Sequence, residues 1–279
     1  MAGGENSRPG FVAANSEVSV PSVLAAGILP EATPAVETLA LYDAASRWRP
    51  VSALAMAALI TSASVALAFG GAMTIAAATG RDLTLANGGI LTGMLVTQIL
   101  MTVGTILAVA VRGDGLGRAL SLKSPAGGLR TYLRAFGLMM AVVAVYSLAT
   151  HFWLGQQIGD DLGQMVDIIR GRQWPLALLV VGLGAPLSEE LLFRGFLQTA
   201  LVPSRLGYWG ASFLTTTLWT ALHWGYSAAG LVEIFIIGML FALFLRRTGS
   251  LCVTLVCHAL YNSGIALALI FLPRELLGI

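Results

Sequence analysis

The sequence predicts an all-α membrane protein, a polytopic bundle of about seven transmembrane helices with a polar cavity within the C-terminal four. Of the 279 residues, 57% are hydrophobic and only 11% are charged, whereas about 25% of the residues in an ordinary soluble domain are charged. The mean hydropathy is +0.81, and long apolar stretches recur along the chain. A formal net charge of +2 provides no basic surface for nucleic acid, so we exclude a nucleic-acid partner.

Each predicted span contains enough apolar residues to cross the bilayer, because about 20 residues of helix are needed for about 30 Å of hydrocarbon. In chain order, the predicted spans are 51–79, 85–111, 136–154, 175–202, 207–224, 228–245 and 250–272. The loops between the last four spans are very short. Short loops make neighbouring helices antiparallel and pack them as one bundle.

Composition divides the chain into three regions. Residues 1–48 are rich in Gly, Pro, Ala and Glu and lack a signal peptide, so we expect a disordered N-terminal tail. Residues 49–174 contain the first three spans and a basic loop at 112–134, and residues 175–279 form the C-terminal helical core. Cys252 and Cys257 are five residues apart in one span, a spacing that disfavours a disulfide between them.

The lysine and arginine residues of the loops predict the orientation of the chain. If the N-terminus is cytoplasmic, 11 of the 16 basic residues lie on the inner side and 4 on the outer side. The inner group comprises Arg8, Arg47, Arg49, Arg112, Arg118, Lys123, Arg130, Arg134, Arg205, Arg246 and Arg247. The outer group comprises Arg81, Arg170, Arg172 and Arg274, and Arg194 lies inside a span. We therefore expect an integral protein of a bacterial plasma membrane with a cytoplasmic N-terminus.

Ionisable residues inside a span cost a few kcal/mol each on insertion scales, so they mark functional sites. The late spans contain Glu189, Glu190, Arg194, His223, Glu233 and His258. Glu190 and Arg194 are four residues apart on one helical face, a spacing that predicts an ion pair. Glu189 is rotated by about 100° from this pair and lacks the arginine as a partner. Pro186 predicts a kink or break just before the cluster.

Two further pairs share a helical face. Trp219 and His223 are four residues apart, so the indole can pack on the imidazole and orient it. His258 and Asn262 have the same spacing and can both face the bundle interior. Taken alone, His223 could be an interfacial residue. The pair of His258 and Asn262 could be interhelical hydrogen-bonding groups worth about 0.6 kcal/mol per bond.

Together, a carboxylate, two imidazoles and a carboxamide from three spans predict hydrolysis. Glu189, His223 and His258 are suitable zinc ligands that leave a fourth position for water. A glutamate and a histidine can also activate water directly, while a histidine and an asparagine stabilise an oxyanion. Both routes stay open on the residues alone. The sequence lacks H-E-x-x-H and G-x-S-x-G, which excludes the common zincins and serine hydrolases.

The order of these motifs resembles a known family. E-E-x-x-x-R at 189–194, aromatic-x-x-x-H at 219–223 and H-x-x-x-N at 258–262 each lie on a separate span. This pattern resembles the CPBP intramembrane proteases, also called the ABI family, which include CAAX prenyl endopeptidases and bacteriocin-processing enzymes. The resemblance covers about residues 175–270. Trp219 stands where phenylalanine is most expected, a conservative aromatic change.

The resemblance implies a role for each motif residue. Glu189 would activate water with the help of His223, and His258 and Asn262 would stabilise the oxyanion. Glu190, Arg194 and Trp219 would be structural or would orient the substrate. Such an enzyme would be an endopeptidase that uses glutamate directly or a metalloprotease that holds zinc. We favour the metal-independent glutamate route.

The expected partners are the lipid bilayer and a peptide or protein with an extended tail at the membrane, because helical amides are shielded from attack. The sequence does not determine the oligomeric state. An alternative is a non-catalytic membrane scaffold, such as a bacteriocin self-immunity or regulatory protein of the same fold. A transporter is a third hypothesis. We interpret Glu233, Trp224 and Tyr226 as interfacial residues outside the site.

Overall fold

The computed structural model describes residues 42–43, 46–80, 87–155 and 161–274, and these residues form an all-α bundle without a β-strand. The described residues belong to one compact unit. The helices are α1 Pro50–Thr79, α2 Asn87–Val111, α3 Leu116–Ala119, α4 Leu129–Leu154, α5 Gly163–Ile169, α6 Trp174–Leu201, α7 Gly207–Ala221, α8 Ala228–Thr248 and α9 Leu251–Phe271. The predicted helical bundle is thereby confirmed.

Among the described residues, six helices are long and apolar enough to cross a membrane: α1, α2, α4, α6, α8 and α9. The seventh predicted span, 207–224, corresponds to α7, which has 15 residues and ends at Ala221. At 1.5 Å per residue, α7 extends for about 22 Å, less than the thickness of the hydrocarbon. Helix α7 is therefore too short to cross the hydrocarbon by itself, and the chain turns directly after Ala221.

The N-terminal residues of the chain lie largely outside the described residues, since only 42–43 and 46–48 of the predicted tail are described. These last residues pack on the bundle. The Tyr42 hydroxyl hydrogen-bonds the hydroxyl of Thr199, and burial raises the pKa of Tyr42 to about 12. Trp48 donates from Nε1 to the Ala108 carbonyl at 3.0 Å and stacks edge-on against Phe196.

Helix α6 is the central element of the bundle. It is the most buried of the six long helices, and every residue of its segment Glu190–Gln198 is buried. The segments Leu178–Gly184 and Glu190–Gln198 are π-helical and flank one α-helical stretch, Ala185–Glu189. Pro186 was predicted to kink or break the helix, and the helix is not broken there, since it continues through the proline. The Ala185 amide bonds the Val180 carbonyl five residues back, so the wider turns accommodate the proline.

The bundle has two chemically different ends. At the first, which we call the basic end, Arg47 donates to the Arg112 carbonyl at 3.3 Å and pairs with Asp114. The Leu251 amide also donates to the Ser121 carbonyl at 3.0 Å there. At the opposite end, the Arg170 guanidinium donates to the Leu269 carbonyl at 2.5 Å. Chain direction then places every other described loop at one of these two ends.

Candidate active site

The π-helical turns of α6 place adjacent glutamates in different surroundings. Glu189 is the last residue of the α-helical stretch, and Glu190 begins the second π-helical segment. The Glu190 side chain has no exposed surface, whereas 19% of the Glu189 side chain is exposed. π-Helical turns are rare and frequently occur at functional sites. The local geometry thus separates a buried carboxylate from an accessible one.

Glu190 forms the predicted ion pair with Arg194. Nη1 of Arg194 donates to Oε1 of Glu190 at 3.0 Å, and neither side chain is exposed. The guanidinium also lies over two aromatic rings, 4.3 Å from the centroid of Trp219 and 5.5 Å from that of Phe241. Nε and Nη2 of Arg194 have no hydrogen-bond partner within the described part of the chain, so these rings supply the remaining favourable contacts. The buried charges are therefore compensated together.

His258 lies between the two glutamates. Its Nδ1 is 3.1 Å from Oε1 of Glu190. A carboxylate paired with a guanidinium only accepts hydrogen bonds, so Nδ1 of His258 donates to Glu190. This bond turns Nε2 of His258 toward Oε2 of Glu189, at 3.9 Å. That separation is too long for a direct hydrogen bond and leaves room for a small polar group.

Glu189 is fixed by the indole of Trp219, which donates from Nε1 to Oε2 at 2.6 Å. Trp219 is only 3% exposed, and its ring contacts both histidines, with centroids 5.1 Å from His223 and 5.6 Å from His258. The sequence identified Trp219 as a support for His223. The structure shows that it also supports Glu189 and His258, so one buried indole organises three polar side chains.

His223 reaches the site because α7 is short. The chain turns after Ala221, and Nδ1 of His223 lies 3.0 Å from the carbonyl oxygen of Trp219. A carbonyl accepts hydrogen bonds only, so Nδ1 carries the proton and Nε2 has a free lone pair. A straight span through 224 would have carried His223 toward the membrane surface. The early end of α7 instead keeps it on the same cavity as Glu189 and His258.

Asn262 lies one turn beyond His258 on α9. Its Nδ2 donates to the Val181 carbonyl in the first π-helical segment of α6, at 3.2 Å. The amide group has a second N–H, so it can donate one further hydrogen bond. Asn262 lines the same cavity as Glu189, His223 and His258. The structure therefore brings together the four side chains that the sequence predicted to be catalytic.

These side chains line a cavity of about 560 Å³. Its wall includes helices beyond the four that the sequence predicted, because α2, α4 and the segment at α5 also contribute. From these elements come Met94, Met140, Val143, Ser147, Thr150, Asp161, Leu162 and Met165. The candidate catalytic residues belong to the C-terminal core, whereas helices of the N-terminal half complete the wall of the cavity.

The sequence analysis left two polar groups outside the site that the structure places in the cavity wall. Oε1 of Glu233 accepts a hydrogen bond from the Tyr261 hydroxyl at 3.1 Å, and both side chains line the cavity. Tyr226 also lines it, with its ring centroid 5.8 Å from that of His223. The only sequence signal was the carboxylate of Glu233 within an apolar run. Trp224, in contrast, is 84% exposed, in keeping with an interfacial residue.

Gly238 on α8 has a role that no sequence pattern indicated. A Cβ at this position would lie 2.6 Å from Cγ2 of Thr216, 2.9 Å from Nη2 of Arg194 and 3.1 Å from Cε3 of Trp219. Only glycine lets α8 approach closely enough to enclose the guanidinium and the indole. The site thus depends on the absence of a Cβ at Gly238 as well as on its polar side chains.

The predicted zinc ligands Glu189, His223 and His258 all line the cavity, and their donor atoms are of the kinds that zinc binds. Across the described residues, however, no three His, Cys, Asp or Glu side chains are arranged to hold a metal ion. These three residues therefore do not form a preorganised metal centre. The chemistry proposed below uses their side chains directly.

Residues 171–264 match a protein-family model described as type II CAAX prenyl endopeptidase Rce1-like. The matched segment begins just before α6 and ends within α9, so it contains all three motifs. No curated protein and no solved structure matches the chain. The family match confirms the resemblance found from the motifs and supports a membrane-embedded protease.

Proposed function

We propose that the protein is an intramembrane endopeptidase in which Glu189 activates water for attack on a peptide bond. The observation that carries this proposal is the separation of the two glutamates. Glu190 is buried in an ion pair, whereas Glu189 faces a 560 Å³ cavity opposite an imidazole nitrogen 3.9 Å away. A structural cluster would not need the second carboxylate, since Arg194 already neutralises the first.

The tautomers give the two histidines different roles. Nε2 of His223 has a free lone pair, so it can accept a hydrogen bond from the water that Glu189 activates. His258 donates from Nδ1 to Glu190 and presents Nε2 to the cavity. When Nε2 also carries a proton, it donates a hydrogen bond as well. His258 and the second N–H of Asn262 then stabilise the negative charge that develops on the carbonyl oxygen.

The proton balance of the proposed reaction is simple. The Glu189 carboxylate takes a proton from water as the new C–O bond forms, giving a tetrahedral oxyanion. Collapse of this intermediate breaks the C–N bond, and the proton on Glu189 passes to the leaving amine. The products are a carboxylate and an amine, and Glu189 returns to its ionised state. No redox or covalent enzyme intermediate is required.

The substrate of the proposed reaction presents an unwound segment to the cavity. Amides in a helix are already hydrogen-bonded and sterically shielded, whereas an extended segment exposes its carbonyl carbons. The name of the matching family refers to prenylated CAAX proteins, so a farnesylated C-terminal peptide is one natural probe. The same peptide without the farnesyl group is the other, because the catalytic side chains do not themselves require a lipid.

The experiment compares the wild-type protein with Glu189→Gln in lipid nanodiscs, using both quenched-fluorescent peptides. The amide that this substitution introduces retains an acceptor for the Trp219 indole but cannot take a proton. We therefore expect the variant to fold normally and lose about 10³-fold or more in rate. The matched control is Asp43→Asn, which makes the same chemical change at an exposed carboxylate before α1. It should retain full activity.

Three outcomes would contradict the direct glutamate mechanism. Equal hydrolysis by wild type and Glu189→Gln contradicts the role of Glu189. Absence of hydrolysis in both, while Glu189→Gln keeps its biological activity in cells at normal protein levels, favours the scaffold or self-immunity alternative. Hydrolysis that disappears on chelation and returns with zinc replaces the direct glutamate route with the metal-dependent one. We expect activity to survive chelation, with the metal content checked by mass spectrometry.

A further inference from the structure

We infer that Gln98 of α2 is a positioning residue: it holds the first π-helical segment of α6, and this segment sets the direction in which Glu189 points. The inference rests on the proposed function, because Glu189 is the residue that activates water there. It goes beyond that function because Gln98 lies outside residues 171–264, the segment that matches the family model. Three observations carry it: the burial of Gln98, the hydrogen bonds on the π-helical segment, and two glycines within this segment.

Gln98 is a buried carboxamide in a membrane helix without charged residues. Only 8% of this residue is exposed, and it lies near the middle of α2. A buried amide costs free energy unless it is hydrogen-bonded. Nε2 of Gln98 donates to the Val180 carbonyl at 3.1 Å, and Val180 belongs to the first π-helical segment of α6, Leu178–Gly184. The bond therefore ties the middle of α2 to that segment.

Side chains from two helices bond three consecutive carbonyls of this segment. Gln98 bonds the first of them from α2. Asn262 and Ser263 lie on α9 and donate to the next two carbonyls, those of Val181 and Gly182, at 3.2 and 3.4 Å. π-Helical turns are rare, and a side chain bonded to the backbone ladder is one identified cause of irregular helix geometry. The segment is thus held from two sides, and Gln98 holds it from α2.

Two glycines of the segment let these side chains approach. A Cβ at Gly182 would lie 2.5 Å from Oγ of Ser263, and a Cβ at Gly184 would overlap Oε1 of Gln98. Oε1 has no hydrogen-bond partner within the described part of the chain, so the carboxamide is held by its Nε2 bond and by packing on Gly184. A side chain at residue 184 would displace the amide. Gly184→Ala thus breaks the same contact from the side of α6.

The π-helical segment determines which residue of α6 faces the cavity. It contains about one residue more than an α-helix needs for the same turns, so relaxation to an α-helix would rotate the following residues by about 100°. Glu189 would then point in the direction that Glu190 has now. Ser188, which is 1% exposed, would take the place of Glu189 at the cavity. Loss of the Gln98 bond should therefore move Glu189 out of its reactive position.

The kinetic test is Gln98→Met in lipid nanodiscs, with the peptides used for Glu189→Gln. Methionine keeps the length of the side chain but cannot donate to the Val180 carbonyl. We expect kcat to fall about tenfold and KM to change less than about twofold, because the described cavity wall does not include Gln98. Gly184→Ala should lower kcat in the same way. The matched control is Thr102→Val, one turn further along α2 in the same groove against α6, and it should keep full activity.

A second measurement detects the rotation of α6 without hydrolysis. Cys252→Ala and Cys257→Ala remove the native thiols, and Ser188→Cys places one thiol at the buried position. Its reaction with methyl methanethiosulfonate, a small neutral reagent, is followed by mass spectrometry of the intact protein. We expect slow labelling with Gln98 in place and labelling about threefold faster or more with Gln98→Met. Thr102→Val should leave the labelling rate unchanged.

The two measurements separate the role of Gln98 from the proposed function. Unchanged labelling in both Gln98→Met and Gly184→Ala overturns the positioning role, whether or not the protein hydrolyses a peptide. Faster labelling with an unchanged kcat overturns the link between the segment and Glu189. Equally faster labelling of Cys257, retained as the single buried thiol in a parallel variant, would show general loosening and also overturns the role. The catalytic role of Glu189 is tested separately by Glu189→Gln.

Discussion

The cavity has a buried floor, formed by Glu190 and Arg194, and an accessible wall that includes Glu189. Both regions contain a glutamate, but the two carboxylates have different surroundings. In the floor, Glu190 and Arg194 have no exposed surface, and each charge is compensated by a neighbour. In the wall, Glu189 retains exposed surface and shares its space with Nε2 of His258. Charges that are paired and buried react poorly, whereas a carboxylate with one fixed oxygen and free space beside it can exchange protons. Substitutions in the floor should therefore affect folding, and those in the wall should affect rate.

The largest effect is expected at the floor. Arg194→Met leaves the Glu190 carboxylate buried without its cation, and breaking such a pair costs about 3–5 kcal/mol. We expect much less folded protein, measured by thermal unfolding in detergent. The control is Arg194→Met combined with Glu190→Gln, which removes both charges and should recover much of the stability. Equal stability of the single variant and the wild type would contradict the description of the floor.

Histidine substitutions in the wall should mainly lower the hydrolysis rate. His223→Ala removes one imidazole, and we expect it to lower the hydrolysis rate by about 10²-fold or more while unfolding at nearly the wild-type temperature. His258→Ala should lower the rate by a similar factor but also lower the unfolding temperature, because its buried ring donates to Glu190. The matched control is Leu260→Ala, at a side chain on α9 that is 51% exposed toward lipid. A large loss of stability in His223→Ala would assign that side chain to the floor instead.

Gly238 tests how tightly the floor is packed. The Cβ of Gly238→Ala would fall 2.6 Å from Cγ2 of Thr216 and 2.9 Å from Nη2 of Arg194, so a neighbour must move. Overpacking of this kind costs about 1–3 kcal/mol. Gly264→Ala is the control, because its Cβ would meet no atom within 4 Å. The two variants should differ in unfolding temperature, and equal values would show that α8 has more freedom than the contacts indicate.

The smallest expected effect is at Trp219, which joins the floor to the wall. Trp219→Phe keeps an aromatic ring over Arg194 but removes the Nε1 donor that holds Glu189 at 2.6 Å. We expect a loss of about 1 kcal/mol in stability and about tenfold in rate. A rate loss without a change in the apparent affinity for peptide indicates positioning of Glu189. A change in affinity alone would indicate instead that the indole contacts the substrate.

Residue spacing along single helices was sufficient to predict which side chains of this site share a helical face. The spacing of Glu190 and Arg194 predicted their ion pair, because residues four apart share a helical face, and the same rule excluded Glu189 from it. The spacings of Trp219 with His223 and of His258 with Asn262 likewise identified side chains that line one cavity. The predicted break at Pro186 is absent because the helix continues through it between two π-helical segments, and no local rule specified those segments.

Contacts between distant segments were not predictable in this way. His258 and Glu190 are 68 residues apart, and Glu189 and Trp219 are 30 residues apart, so their hydrogen bonds depend on how α6, α7 and α9 cross. Glu233 was placed at the interface because it lies near the start of its predicted span and belongs to no motif. Its partner Tyr261 lies on another helix, 28 residues away.

The sequence by itself determined that this chain crosses a membrane as a helical bundle, which ionisable residues it holds there, and which of them share a helical face. These properties follow from composition and from the period of the helix, both local. Only the tertiary structure decided that α7 stops short and that His258 rather than His223 faces Glu189 most closely. Those properties depend on packing between helices. At Gly238, for example, the absence of a Cβ lets α8 pack closely against Arg194 of the buried ion pair.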